Sequence, residues 1–133
     1  MNIRFLSLTA GGFVALLIIG LATTLLAQQT VFNDPVEPAI SEKLNLGKMN
    51  YEAYCASCHG KTARGTDKGP TFISRIYHPE HHGDGAFYIA PKKGARAHHF
   101  KFGDMPPVKG VNDSQLQTII EYVRAVQQAN DLF

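Results

Sequence analysis

One short motif constrains this chain more than any other feature: residues 55–59 read Cys-x-x-Cys-His and contain its only two cysteines. Two thiols at this spacing can add to the vinyl groups of one haem, and the next residue, a histidine, then ligates the iron. A zinc site would need a second pair of Cys or His ligands, and a redox dithiol would lie among alternating strands and helices. No further cysteine exists to complete a zinc site with these two, and the sequence shows no such alternation of strands and helices. The motif therefore predicts one covalently attached haem c, held by Cys55, Cys58 and His59.

The composition fits one small domain that has no nucleic-acid partner. The chain has 133 residues, of which 44% are hydrophobic, and its formal net charge is +2. Arg4 belongs to the N-terminal leader, and two haem propionates would add two negative charges. The working domain is then close to neutral, whereas a nucleic-acid-binding domain would carry a clear basic face.

The N-terminal segment is long enough to cross a membrane. Residues Phe5 to Ala27 include no charged residue, and a membrane-spanning helix needs about 20 apolar residues. Arg4 favours a cytoplasmic N-terminus by the positive-inside rule. We predict that residues 1–27 are an uncleaved signal-anchor; a cleaved signal peptide is the alternative, because small residues at 20–22 suit a signal peptidase. Both interpretations place the domain on the periplasmic side of a bacterial inner membrane.

The rest of the chain divides into a linker and one domain. Residues 28–41 contain Pro35 and Pro38 and have no helical period, so we expect a linker there. The domain is predicted at residues 42–133. Its first helix should run from Glu42 to Tyr54 with Ser41 as its N-cap. Four apolar side chains can share one face of this helix: Leu46, Met49, Ala53 and Tyr54.

Two more helices are predicted, and no strand. The last helix should begin at Asn112 or Asp113 and reach about Asn130, with Gln115 as a capping-box partner. A stripe of apolar side chains runs along it at helical spacing: Leu116, Ile119, Ile120, Val123 and Val126. Residues Asp84 to Lys93 suggest a short helix that ends at Gly94. No stretch alternates as a strand would, so the predicted fold class is all-α.

Met105 is the predicted second axial ligand of the haem iron. It lies between Gly103 and Pro106, and the proline restricts how far the loop can move. A thioether is a soft, neutral ligand, and His/Met ligation raises the reduction potential of a haem. The chain's other methionines are Met49, on the first helix, and Met1.

The chain resembles the class I c-type cytochromes, in particular the small bacterial proteins with a single haem. The resemblance covers about residues 42–130 and is carried by four features: Gly47, Tyr51 and Cys55 at four-residue spacing before the haem motif, Gly69-Pro70 after it, Met105-Pro106, and the closing helix.

This resemblance implies a fold in which the first and last helices cross, at Gly47 and near Tyr122. It also implies that the Pro70 carbonyl accepts the ring proton of His59, which fixes the tautomer of a metal-ligating histidine. The family's usual tryptophan near a haem propionate is missing, since the chain has none. Arg75, Tyr77 or one of the histidines is expected to replace it.

Five histidines form a second notable pattern in the sequence. They lie near Asp84 and Asp104 and comprise His78, His81, His82, His98 and His99. One interpretation is a second metal site, for copper or zinc, in which the two groups of histidines converge. The other, which the sequence favours, is that one or two of them contact haem propionates and the rest face solvent.

These observations together predict an electron carrier rather than an enzyme. Iron ligated by His59 and Met105 has no open position for a substrate. Expected partners are redox proteins such as a membrane oxidoreductase or a terminal oxidase. Four cations before Met105 would steer the domain to an acidic partner: Lys92, Lys93, Arg96 and Lys101. The alternatives are an open distal site that binds a gas or acts as a peroxidase, with His98 or His99 recruited, and a dedicated subunit of a larger oxidoreductase.

Overall fold

The described part of the chain is helical. The computed structural model describes residues 35–133, so the predicted anchor and the first half of the predicted linker lie outside the described residues. The described elements are α1 (Glu42–Tyr54), α2 (Ala56–His59), a 3₁₀-helix (Arg75–Tyr77), α3 (Asp84–Lys93) and α4 (Asp113–Ala129). No helix within residues 35–133 is long and apolar enough to span a membrane. These residues form no strand, so the all-α prediction is confirmed for them.

The helices begin and end where their capping residues predict. The Ser41 hydroxyl accepts a hydrogen bond from the Leu44 amide at the start of α1. At the start of α4, Asn112 and Gln115 form the reciprocal capping box, with each side chain accepting from the other residue's amide. Helix α3 contains Pro91 and still continues to Lys93 before Gly94 adopts a φ of 78°. Local side-chain chemistry therefore sets these boundaries.

Helices α1 and α4 cross at Gly47, as the resemblance implies. A Cβ atom on Gly47 would collide with the Thr118 carbonyl oxygen and would lie 3.0 Å from Cβ of Tyr122. The crossing buries Tyr51 and Tyr122 completely, with their ring centroids 5.4 Å apart. Three of the predicted apolar residues of α4 complete this core and are at most 1% exposed: Leu116, Val123 and Val126.

Three of the four apolar side chains predicted to share a face of α1 are exposed, whereas Tyr54 is half-buried and packs against the core. Leu46 is 52% exposed and Met49 is 59% exposed, and Ala53 also faces solvent. The buried residues of α1 are instead Gly47 and Tyr51. The close approach to α4 at Gly47 decides which side of the helix turns inward, and a large side chain at that position would prevent it.

Residues 35–41, the described part of the predicted linker, bond to the domain. The Val36 amide donates to Oδ1 of Asn130, whose Nδ2 donates back to the Val36 carbonyl, each at 2.8 Å. Nearby, Lys48 pairs with Glu37 at 2.9 Å. These residues are extended, yet they are fixed to the end of α4 and to the outer side of α1.

Arg124 of α4 holds the segment between α2 and α3 in place. Its guanidinium donates to the backbone carbonyls of Tyr77 at 2.8 Å and His82 at 2.7 Å. It also pairs with the Asp84 carboxylate at 2.8 Å. Five donors in a rigid plane suit such a junction. Arg124 therefore ties residues 77–84 to the last helix.

Candidate haem-binding site

A single cavity brings together all five residues predicted to hold the cofactor. Its volume is about 430 Å³, and its lining is largely apolar. Cavities of roughly 300–1,000 Å³ are typical of sites for small organic ligands. The predicted residues on its wall are Cys55, Cys58, His59, Pro70 and Met105. The apolar lining includes Phe72 and Phe87 from the middle of the chain and Ile119, Ile120 and Val123 from α4.

The two cysteines lie where α1 passes into α2. Cys55 is half-buried and Cys58 is exposed. Burial, and to a smaller extent the neighbouring Cys58, raises the pKa of the Cys55 thiol to about 12. A raised pKa disfavours a reactive dithiol, which uses the thiolate. The position of both cysteines on the cavity wall agrees with covalent attachment of a haem.

His59 is held as a neutral imidazole with its Nε2 lone pair available. It is 7% exposed, and its Nδ1 donates to the Pro70 carbonyl oxygen at 2.9 Å. Its ring stacks on Phe72, with centroids 4.2 Å apart and planes inclined by 23°. Burial lowers the pKa of His59 and outweighs the raising effect of the bond to Pro70. A neutral, oriented imidazole is the form in which histidine ligates a metal.

Gly69 allows the chain to approach this histidine closely. A Cβ atom there would lie 3.2 Å from Cε1 of His59 and 3.0 Å from the Cys58 carbonyl oxygen. Both distances are tighter than side-chain carbons normally tolerate. The absence of a side chain at Gly69 therefore brings the acceptor carbonyl of Pro70 within reach of the imidazole.

Backbone hydrogen bonds on both sides fix the position of Met105. Its amide donates to the Ala95 carbonyl at 2.8 Å, and its carbonyl accepts from the Ala95 amide at 2.9 Å. Gly94 permits this isolated antiparallel bridge, because its φ is 78° and a Cβ would lie 2.7 Å from the Met105 oxygen. Beyond the two prolines, the Val108 amide donates to the Pro91 carbonyl. The sequence indicates the proline-bounded loop but not this pairing.

The chemistry of the cavity fits a haem. A mostly apolar ring needs an apolar enclosure, which α4 and the aromatic residues supply. Thioether attachment uses two thiols three positions apart, and histidine nitrogen and methionine sulfur are among the axial ligands that hold haem iron. Cys55, Cys58, His59 and Met105 offer these groups on the wall of one cavity. Fold and site together define a small, all-α protein of the c-type haem class.

Comparison with known families agrees with this class. The family model described as cytochrome c matches residues 44–127, which is more than half of the chain. The chain therefore belongs to the cytochrome c family and carries a covalently bound c-type haem with its iron. No curated protein and no solved structure matched the sequence.

Several residues that shape the site were not singled out from sequence. Phe72 stacks on His59, and Gln127, which is completely buried, donates to the Phe72 carbonyl at 2.8 Å. Neither contact joins residues that are neighbours in the sequence, so local patterns do not predict them. The one weak local signal is that Phe72 is an aromatic residue shortly after Gly69-Pro70. Of the proposed tryptophan replacements, Tyr77 and His82 line the cavity, as do His98 and His99. Arg75 does not.

The four cations before Met105 are not equivalent. Lys92 is paired with Asp113 at 2.6 Å and lies over the ring of Tyr88. Lys93, Arg96 and Lys101 are exposed, and Arg96 contributes to the cavity wall. Lys93, Arg96 and Lys101 therefore remain the candidates for a surface that docks an acidic partner; we call these three residues the docking surface.

Proposed function

We propose that this protein is a one-electron carrier whose haem iron is ligated by His59 and Met105. When bound, haem c supplies an iron centre that accepts and releases one electron. The observation that carries the proposal is that both residues line the same cavity, one as an oriented neutral imidazole and the other on a backbone fixed at Ala95. With two protein ligands, no position remains for a substrate, so we propose no catalytic residue.

The chain's own residues tune the site. Pro70 accepts the Nδ1 proton of His59, which makes the imidazole a stronger donor. Phe72 holds the ring plane by stacking. Residues Ile119, Ile120 and Val123 cover the cavity from α4 and exclude water. An apolar surrounding limits solvent access and dielectric, and both influence the reduction potential of a metal centre. We propose that methionine ligation places this potential above that of a comparable bis-histidine haem.

We further propose that the domain works on the periplasmic side of a bacterial inner membrane, anchored by Phe5 to Ala27. The uncharged length of that segment and the single flanking Arg4 support this arrangement. Its partners would be redox proteins, such as a membrane oxidoreductase or a terminal oxidase. The protein itself would act either as a tethered carrier or as a subunit of a larger oxidoreductase. The mass of the mature protein tests the anchor: loss of about 20 to 27 residues would mean a cleaved signal peptide.

The ligation proposal is tested by the near-infrared spectrum of the oxidised full-length protein. Iron–thioether coordination gives a weak charge-transfer band there, which we expect in the wild type. Met105→Ala should abolish the band. Met49→Ala is the matched control, because Met49 is 59% exposed on α1 and its removal should leave the band intact. A wild type without the band, or a band that survives in Met105→Ala, would contradict the proposal.

A further inference from the structure

Three histidines converge at one place in the fold. His81, His82 and His99 each offer a ring nitrogen, and these nitrogens all lie within 4.8 Å of one another. Nε2 of His81 is 3.2 Å from Nε2 of His99. His82 is half-buried and the other two are exposed, so an ion has direct access from solvent. Two segments of the chain, residues 78–82 and 95–105, supply these side chains.

The supporting hydrogen bonds prepare His82 as a metal ligand. Its Nδ1 donates to the Ile76 carbonyl at 2.7 Å, which leaves Nε2 with a free lone pair. A metal-ligating histidine commonly gives its second ring proton to a backbone carbonyl in this way. The His82 carbonyl in turn accepts from Arg124 at 2.7 Å. The position of this imidazole is therefore set by α4.

His99 and His81 are also carried on backbone that is held in place. The amides of His81 and His82 both donate to the His78 carbonyl at 2.9 Å, which closes a turn. The loop that bears His99 is closed by the Ala95–Met105 bridge and by the Ala97 amide donating to Asp104 at 2.8 Å. Desolvation, and then the neighbouring imidazoles, lower the pKa of His99. The ring is thus neutral at physiological pH, as metal binding requires.

We propose that His81, His82 and His99 bind one Zn²⁺ ion through three imidazole nitrogens, with the fourth position open to water. Zinc–nitrogen bonds of about 2.0–2.1 Å in a tetrahedron place neighbouring nitrogens about 3.3 Å apart. The 3.2 Å between His81 and His99 matches one such edge. The wider separation within the group closes by rotation of the two exposed side chains. His82 and His99 also line the haem cavity, but neither is one of the two ligands proposed for the haem iron.

The donor set selects the kind of metal. Three neutral nitrogens suit zinc and copper, whereas Ca²⁺ and Mg²⁺ take oxygen ligands. Copper(II) prefers a tetragonal arrangement, in which adjacent nitrogens at bond lengths of about 2.0 Å would be only about 2.8 Å apart. The 3.2 Å between the His81 and His99 nitrogens is closer to the tetrahedral value, so zinc is the ion proposed.

The test is a calorimetric titration of the full-length holoprotein with Zn²⁺ alone. The protein carries its haem and no polyhistidine tag, is stripped with a chelator and is held at about pH 7.5, where imidazoles are neutral. We expect one zinc per chain. His81→Ala and His99→Ala should each weaken binding by at least about tenfold. His78→Ala is the matched control, since His78 lies on the same turn outside the group and should change affinity less than twofold.

Each outcome of this titration decides the proposal. Unchanged haem absorption and far-ultraviolet dichroism in the variants would show that they are folded. Wild-type protein that takes up no zinc would overturn the proposal, and this is the result expected if haem propionates already occupy these imidazoles. An equal loss of zinc affinity in His78→Ala, or no loss of affinity in His99→Ala, would overturn the proposal as well. None of these results bears on ligation by Met105.

Discussion

The ring centroids of Tyr51 and Tyr122 lie 5.4 Å apart at the crossing of α1 and α4, but their hydroxyl groups differ in hydrogen bonding. The Tyr51 hydroxyl donates to the Gly60 carbonyl at 2.7 Å, which ties α1 to the end of the haem motif. Within residues 35–133, the Tyr122 hydroxyl is buried with no hydrogen-bond partner. Tyr51 thus links the helix crossing to the site, whereas Tyr122 contributes to the crossing through the packing of its ring.

This difference predicts opposite effects of the same substitution. Tyr122→Phe removes a buried unpaired hydroxyl and should raise the free energy of unfolding by about 1 kcal/mol. Tyr51→Phe breaks a satisfied hydrogen bond and should lower it by about 1 kcal/mol. Denaturant unfolding of the two holoproteins measures both values. Changes of the same sign would show that the hydroxyl groups are equivalent.

The helix crossing should not tolerate a side chain at Gly47. Gly47→Ala places a methyl group against the Thr118 carbonyl oxygen, so the helices must separate, and we expect a loss of about 3 kcal/mol or more. Gly85→Ala is the control, because no heavy atom lies within 4 Å of a Cβ there. Within helix α3 that change should stabilise by about 0.5–1 kcal/mol. Thermal unfolding of both variants checks the contrast, which equal shifts in Tm would refute.

Burial of Tyr77 predicts a specific loss of stability in alkaline solution. Desolvation raises its pKa to about 12, above the value of about 10 in an unfolded chain. Between these values the unfolded state releases the phenolic proton first, so the free energy of unfolding falls as pH rises. The contribution is fully present below about pH 10. Tyr77→Phe should make the free energy of unfolding, measured with denaturant at a series of pH values, fall less steeply as pH rises. Identical slopes of this free energy against pH in the wild type and the variant would rule out Tyr77 as the cause.

Three exposed cations predict faster reaction with anionic partners. Lys93, Arg96 and Lys101 precede Met105, and Arg96 borders the cavity. Oxidation of the reduced protein by an anionic iron cyanide complex should slow with ionic strength. Arg96→Glu should slow it about threefold or more at low salt. A cationic cobalt complex is the control and should show the reverse trend. If the rates with both oxidants were independent of ionic strength, the proposed docking surface would be wrong.

Local signals in the sequence were sufficient for α1, α3, α4 and the attachment motif, but not for the short α2 and the 3₁₀-helix. Caps depend on neighbouring residues, so Ser41 and Asn112 marked the starts of α1 and α4 correctly. The spacing of Gly47, Tyr51 and Cys55 likewise pointed to the crossing, through the family it resembles. The caps and the attachment motif could be predicted because each is decided within one or two helical turns.

Contacts between distant segments could not be predicted in the same way. The exposed positions of Leu46 and Met49 follow from the side on which α4 approaches, which their own helix does not encode. The bonds of Arg124 to Tyr77 and His82 join residues more than 40 positions apart. The convergence of His81 with His99 depends on that support. Tertiary packing, rather than local preference, decides these parts of the site.

Carbon monoxide binding by the reduced protein tests the carrier assignment most directly. Iron held by His59 and Met105 has no free position, so the haem spectrum of the wild type should not change under carbon monoxide. Met105→Ala should bind the gas, because one position is then open. Prompt, stoichiometric binding by the wild type would contradict the account and would indicate a ligand-binding or peroxidase-like protein instead.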